Sequence, residues 1–124
     1  MGEPKKYISE EGNSKVEGAV RNTSEFNAFL KGYRPKDDHF TTNEEIELVA
    51  RKLSLEDQDV ETLRNTRNRV VRYYSSLMDR EIQYNPDGSF AGRSDKYWDY
   101  NYGMMSVTAI IDRYMYRRNP ASMR

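Results

Sequence analysis

The sequence predicts a mainly α fold: a small helical domain with one long central helix and a short β-hairpin near residues 82–91. Three observations carry that reading. Apolar residues recur at three-and-four spacing in several separate runs between 24 and 118. Hydroxyl-led capping signals precede two of these runs. A single strong turn, Asn85-Pro86-Asp87-Gly88, divides the second half.

Residues 1–23 are polar, glycine-dotted and without periodicity, the pattern of an arm that a partner would have to order. Ser24 to Tyr33 then forms a short helix. Ser24 is its cap, Phe26, Phe29, Leu30 and Tyr33 share one face, and Gly32 with Arg34-Pro35 ends it. Thr41 or Thr42, with Glu44 or Glu45 three residues later, makes a capping box for a second helix that buries Ile46, Val49, Ala50 and Leu53.

Ser54-Leu55-Glu56-Asp57 reads as a second capping box, opening the longest helix over roughly 55–80. Its apolar stripe is Val60, Leu63, Val70, Val71, Tyr74, Leu77 and Met78. Arg67 and Glu81 fall in the middle of that stripe. They lie about 21 Å apart at the helical rise, too far to pair with each other.

Glu81 to Tyr84, the Asn85–Gly88 turn and Ser89-Phe90-Ala91 form the hairpin; proline presets φ and glycine supplies a positive φ. An aromatic cluster follows, Tyr97, Trp98, Tyr100 and Tyr102. A last helix runs from about Met104 to Arg118, with Met104, Val107, Ile111, Tyr114 and Arg118 on one face and Pro120 as its stop. The organisation is thus an arm at 1–23, one helical domain at 24–118 and a tail at 119–124. The expected core is Phe26, Phe29, Leu30, Ile46, Val49, Leu53, Val60, Leu63, Val70, Tyr74, Leu77, Val107, Ile111 and Tyr114.

Composition narrows the function classes. The 124 residues suffice for one modest core. Twenty basic and twenty acidic residues cancel, so no net field draws polyanions, and a nucleic-acid role needs charge sorted onto one face. The absence of cysteine excludes disulfides, thiolate metal sites and cysteine nucleophiles. MGEPKKYISEEG lacks the apolar centre of a signal peptide, and no run reaches membrane-spanning length. A soluble, intracellular, cytoplasmic protein with no membrane partner is expected.

Val49, Ala50, Leu53, Leu55, Val60 and Leu63 have the spacing of two short helices joined by a tight turn, with Ser54 where glycine usually makes that turn. On these residues the segment 47–65 resembles a generic helix-turn-helix. The resemblance implies a reading helix that presents Glu56, Asp57, Gln58, Asp59, Glu61 and Thr62 to base edges. Four carboxylates there would face a wall of phosphates. As acids at a helix N-terminus they complement the macrodipole instead.

Beyond the acids, Arg64, Asn65, Arg67, Asn68, Arg69 and Arg72 spread around the helix circumference rather than along one edge. Arg67 stands apart, because a cation inside an apolar stripe needs an ion pair or a site filled by a partner. The aromatic cluster admits three readings: base stacking beside Arg113, Arg117, Arg118 and Arg124, a protein interface, or closure of the core over the hairpin by Trp98 and Tyr102.

Catalysis finds no machinery. His39 is the sole histidine, and Asp37-Asp38-His39 has no second cluster to complete a metal site. Asn85–Gly88 resembles a fragment of a calcium loop without its bidentate glutamate. No phosphate-binding glycine loop or nucleophile elbow is present. The expectation is a non-enzymatic protein-interaction module, a small subunit or adaptor in a larger assembly. Its partner would be another protein or a further copy of itself, with no cofactor, metal or small-molecule substrate. Arg67, Tyr97, Trp98, Tyr100, Tyr102 and Tyr116 are its contact candidates. The alternative is a nucleic-acid-binding regulator with the hairpin as a wing, using Arg64, Arg69, Arg72, Arg113, Arg117 and Arg118.

Overall fold

The computed structural model describes residues 23–36 and 41–119. The arm at 1–22, the Asp37-Asp38-His39 group and the tail with Pro120 and Arg124 lie outside the described residues. Among the described residues four helices and one hairpin follow in order: α1 (Thr23–Gly32), α2 (Asn43–Leu53), a 3-10 turn (Leu55–Asp57), α3 (Val60–Asp79), β1 (Ile82–Tyr84), β2 (Phe90–Arg93) and α4 (Asp95–Arg118). The mainly helical architecture with a short hairpin is the expected one.

The two long helices, α3 and α4, form an antiparallel pair with the hairpin at its closed end. Arg67 on α3 meets Asp112 on α4, and Tyr74 meets Gly103 nearer the hairpin. The shorter helices rest on this pair: α1 contacts α3 and α2, while α2 packs on α4 and the 3-10 turn. Leu30, Val49, Leu53, Leu55, Leu63, Val70, Tyr74, Val107, Ile110 and Ile111 are withdrawn from solvent between them. Of the expected core only Phe29 and Val60 stay half-exposed. Tyr33, Leu55, Met78, Tyr100, Ile110 and Met115 are buried in addition.

The first capping box forms as expected. Thr42 accepts from the Glu45 backbone N–H at 3.2 Å, and the Glu45 carboxylate accepts from the Thr42 N–H at 2.9 Å. Glu45 is itself buried and takes a further bond from the Lys36 N–H at 2.7 Å. Burial raises its pKa, but these donors and the Lys36 charge outweigh that and hold the carboxyl below the usual glutamate value.

The second box does not form, and α3 starts at Val60 rather than near 55. Ser54 takes the left-handed conformation at φ 56°, ends α2, and makes no side-chain cap. Asp59 caps α3 instead, its carboxylate accepting from the Thr62 N–H at 2.8 Å. An ionised cap draws on the helix dipole more strongly than a hydroxyl does, which favours the later start. Gln58 secures the connection from inside. Its amide donates to the Leu53 carbonyl at 2.7 Å and accepts from the Thr66 hydroxyl at 2.7 Å, with both side chains buried. A buried polar relay of this kind is favourable only when each member is paired, as here.

The last helix is longer than expected, since the aromatic segment from Tyr97 to Tyr102 belongs to α4. Gly103 ordinarily weakens a helix interior. Here a Cβ at position 103 would come within 3.0 Å of the Tyr74 hydroxyl, so the bare backbone is what lets the buried Tyr74 ring lie against α4.

Candidate interaction surface

The two tips of the hairpin pair are fastened by polar residues. Ser94 donates its N–H to the Glu81 carbonyl at 3.0 Å and its hydroxyl to the Glu81 carboxylate at 2.7 Å. Glu81, the second charge of the sequence stripe, therefore ties the end of α3 to the start of α4. In the turn, Asp87 accepts from the Ser89 hydroxyl and N–H, at 2.6 and 2.9 Å. These bonds hold its pKa below the ordinary aspartate value.

The hairpin carries a bulge that sequence periodicity could not show. Tyr84 pairs with Phe90 and Gln83 with Gly92, leaving Ala91 as the extra residue. Without it Phe90 and Arg93 would point to opposite faces; the bulge returns them to the same one. The Arg93 guanidinium then sits 4.9 Å from the Phe90 ring centre, 5.0 Å from Tyr97 and 5.9 Å from Trp98. Tyr97 and Trp98 meet edge to face at 5.0 Å. Arg93, absent from the sequence-derived candidates, organises the aromatic surface through cation–π contacts.

The aromatic cluster itself divides by helix face. Tyr100 points into the core, under the Arg34 guanidinium at 5.2 Å. Tyr97 is half-buried against the core. Trp98, Tyr102 and Tyr116 are exposed at 45%, 37% and 50%, and they share a face with Met105, exposed at 53%. With Ala109 and Asp112 these positions, 98, 102, 105, 109, 112 and 116, follow a strict four-three-four-three-four rhythm. They form one stripe along the outer side of α4, opposite the buried Tyr100, Val107 and Tyr114.

Asp112 is the only charge in that stripe, and it meets Arg67 at 2.8 Å, each side chain about one-third exposed. Arg67 thus has its ion pair within the chain. Partly exposed and singly well-aligned, the pair contributes about 1 kcal/mol or less.

Of the remaining arginines, Arg113 and Arg117 line one depression with Ala109, Asp112 and Tyr116, while the others make separate contacts. Arg64 bonds Glu61 at 2.7 Å. Arg69 donates to the Thr23 hydroxyl and lies 4.7 Å from the Phe26 ring centre. Arg117 stacks on Tyr114 at 4.6 Å and reaches Glu56. Arg118 spans from α4 to the 3-10 turn, donating to the carbonyls of Gln58, Leu55 and Glu56 at 3.0, 3.3 and 2.8 Å. Arg72 and Arg113 are exposed. Of the six side chains expected to face base edges, Gln58 and Thr62 are buried and Asp59 is the helix cap. Glu56 and Asp57 precede the helix, in the turn.

Among the described residues no three His, Asp or Glu side chains gather as metal ligands, and no helix is long and apolar enough to cross a membrane. Comparison with protein-family models, curated proteins and solved structures returned no match.

Proposed function

We propose that the chain is a non-enzymatic protein-interaction module, a small subunit or adaptor in a larger assembly. The observation that carries this reading is the continuous exposed surface from Phe90 and Trp98 through Tyr102 and Met105 to Tyr116. Aromatic residues, methionine and arginine are what protein interfaces concentrate, and a contiguous apolar stripe on a small domain calls for a cover. Arg93 gives that surface a rigid end, because three rings already hold its guanidinium in place.

Nucleic-acid binding draws less support. Four of its six proposed arginines, Arg64, Arg69, Arg117 and Arg118, are engaged within the chain. The net charge is zero.

The test is affinity capture and size analysis of the full chain beside the double variant Met105→Glu/Tyr116→Glu. The reading expects a complex, with itself or another protein, that the double variant loses. A chain that stays monomeric and captures nothing that the variant does not also capture would overturn it.

A further inference from the structure

We infer that the outer stripe of α4 is the seam of an antiparallel homodimer, in which two copies of α4 pack along their length across a twofold axis level with Val107. This rests on the interaction reading above and names its partner. The stripe Trp98, Tyr102, Met105, Ala109, Asp112 and Tyr116 has the seven-residue period of a two-helix seam and runs about 27 Å along the helix. The opposite face of α4 is occupied: Tyr100, Val107, Ile110, Ile111 and Tyr114 are buried in the chain's own core.

Charge decides both the occupant and its direction. On one flank of the stripe stand Asp99 and Arg113, fourteen positions apart and equivalent in the seven-residue repeat. The opposite flank carries Asn101, Thr108 and Met115, none of them charged and the last two buried within the chain. Two parallel copies would set each charged flank against an uncharged one. Two antiparallel copies bring like flanks together and place Asp99 of each against Arg113 of the other. Arg113 is exposed, and Asp99 makes a 3.8 Å contact to Arg34, with half of its side chain exposed. The surface is complementary to itself in one orientation.

Side-chain sizes agree with that register. Met105 of one copy meets Ala109 of the other, a large residue against a small one, on both sides of the axis. Trp98 meets Tyr116 at the two ends. Tyr102 meets Asp112, where a phenol hydroxyl can donate to a carboxylate already neutralised by Arg67.

Light scattering and sedimentation of the full chain over a wide concentration range test the proposal. A dimer is expected whose Trp98 emission shifts to the blue as it forms, since Trp98 is the chain's one tryptophan and enters the seam. Met105→Glu should weaken it by about tenfold or more while leaving the helical circular dichroism unchanged. Arg113→Asp should weaken it through the Asp99 repulsion, and Asp99→Arg/Arg113→Asp together should restore it. Spin labels on Asp95→Cys, which continues the stripe three residues before Trp98 in a chain without other cysteines, should sit about 36 Å apart along the axis; a parallel seam would bring them side by side.

A monomer at every concentration, a dimer indifferent to Met105→Glu, or adjacent Asp95→Cys labels would each overturn the seam. A monomer that captures a different protein through Met105 and Tyr116 would sink the homodimer alone. A monomer capturing nothing would sink the interaction reading with it.

Discussion

The Tyr74 ring lies in van der Waals range of Gly103, so close that a Cβ there would meet its hydroxyl at 3.0 Å and its ring carbons at 3.3 Å. That hydroxyl donates to the Leu30 carbonyl at 2.7 Å, so one phenol pins α1, α3 and α4 together. Burial also pushes its pKa above the ordinary tyrosine value, so the phenol stays protonated and able to donate.

Gly103→Ala follows from this contact. Alanine improves helix propensity by about 1 kcal/mol, but overpacking a buried, hydrogen-bonded ring costs about 1–3 kcal/mol. The expected outcome is a net loss of about 1 kcal/mol. A denaturant titration in which Gly103→Ala is more stable than the parent would contradict the close packing.

Ser54 is the only non-glycine residue with positive φ among those described. Its left-handed backbone costs about 1–2 kcal/mol, and glycine would remove that strain while adding unfolded-state entropy. Ser54→Gly should therefore gain about 0.5 kcal/mol, and Ser54→Val should lose more than 1 kcal/mol on the same scale. Equal unfolding midpoints for the two variants would argue against a left-handed residue here.

Arg118 closes the 3-10 turn with a fork that reaches three carbonyls. Charge-assisted bonds of this kind, partly exposed, contribute about 1–2 kcal/mol together. Arg118→Ala should lose that amount, and Arg118→Lys should recover little of it, because an ammonium lacks the planar fork. Hydrogen exchange of the amides at 55–58 reads the effect locally, and full rescue by lysine would refute a bidentate role.

Glu45 sets an acid limit. Its folded pKa lies below the unfolded one, so its stabilising contribution is fully present above the ordinary glutamate value. That contribution fades as pH falls through the lower folded value. Stability should decline through this acid window in the parent and decline less steeply in Glu45→Gln, which itself should lose about 1–2 kcal/mol at neutral pH. Parallel pH profiles for the two proteins would show that Glu45 does not titrate differently on folding.

Local signals accounted for much of this architecture. The Thr42–Glu45 box, the hairpin turn and most of the core were legible because each depends on residues within a few positions of one another. The Ser54–Asp57 reading failed where two local options competed. The ionised Asp59 cap favoured the later start, and Gln58 and Thr66, meeting across the turn and buried there, secured it. The aromatic surface was half legible. Trp98 and Tyr102 stood out, but Gly103 masked the helix joining them to Met105 and Tyr116, and the bulge at Ala91 hid Arg93 from the rings it organises.

By itself, then, the sequence determined helical periodicity, the first cap, the turn, and a zero net charge that sets no polyanion-attracting field. Tertiary structure decided what those residues face: Arg67 to Asp112, Glu81 to Ser94, Tyr74 to Gly103, and an apolar stripe on α4 turned outward. The physical reason is range. Caps and turns are closed by neighbours in the chain, whereas an ion pair, a tolerated glycine or an exposed face exists only once distant helices have packed.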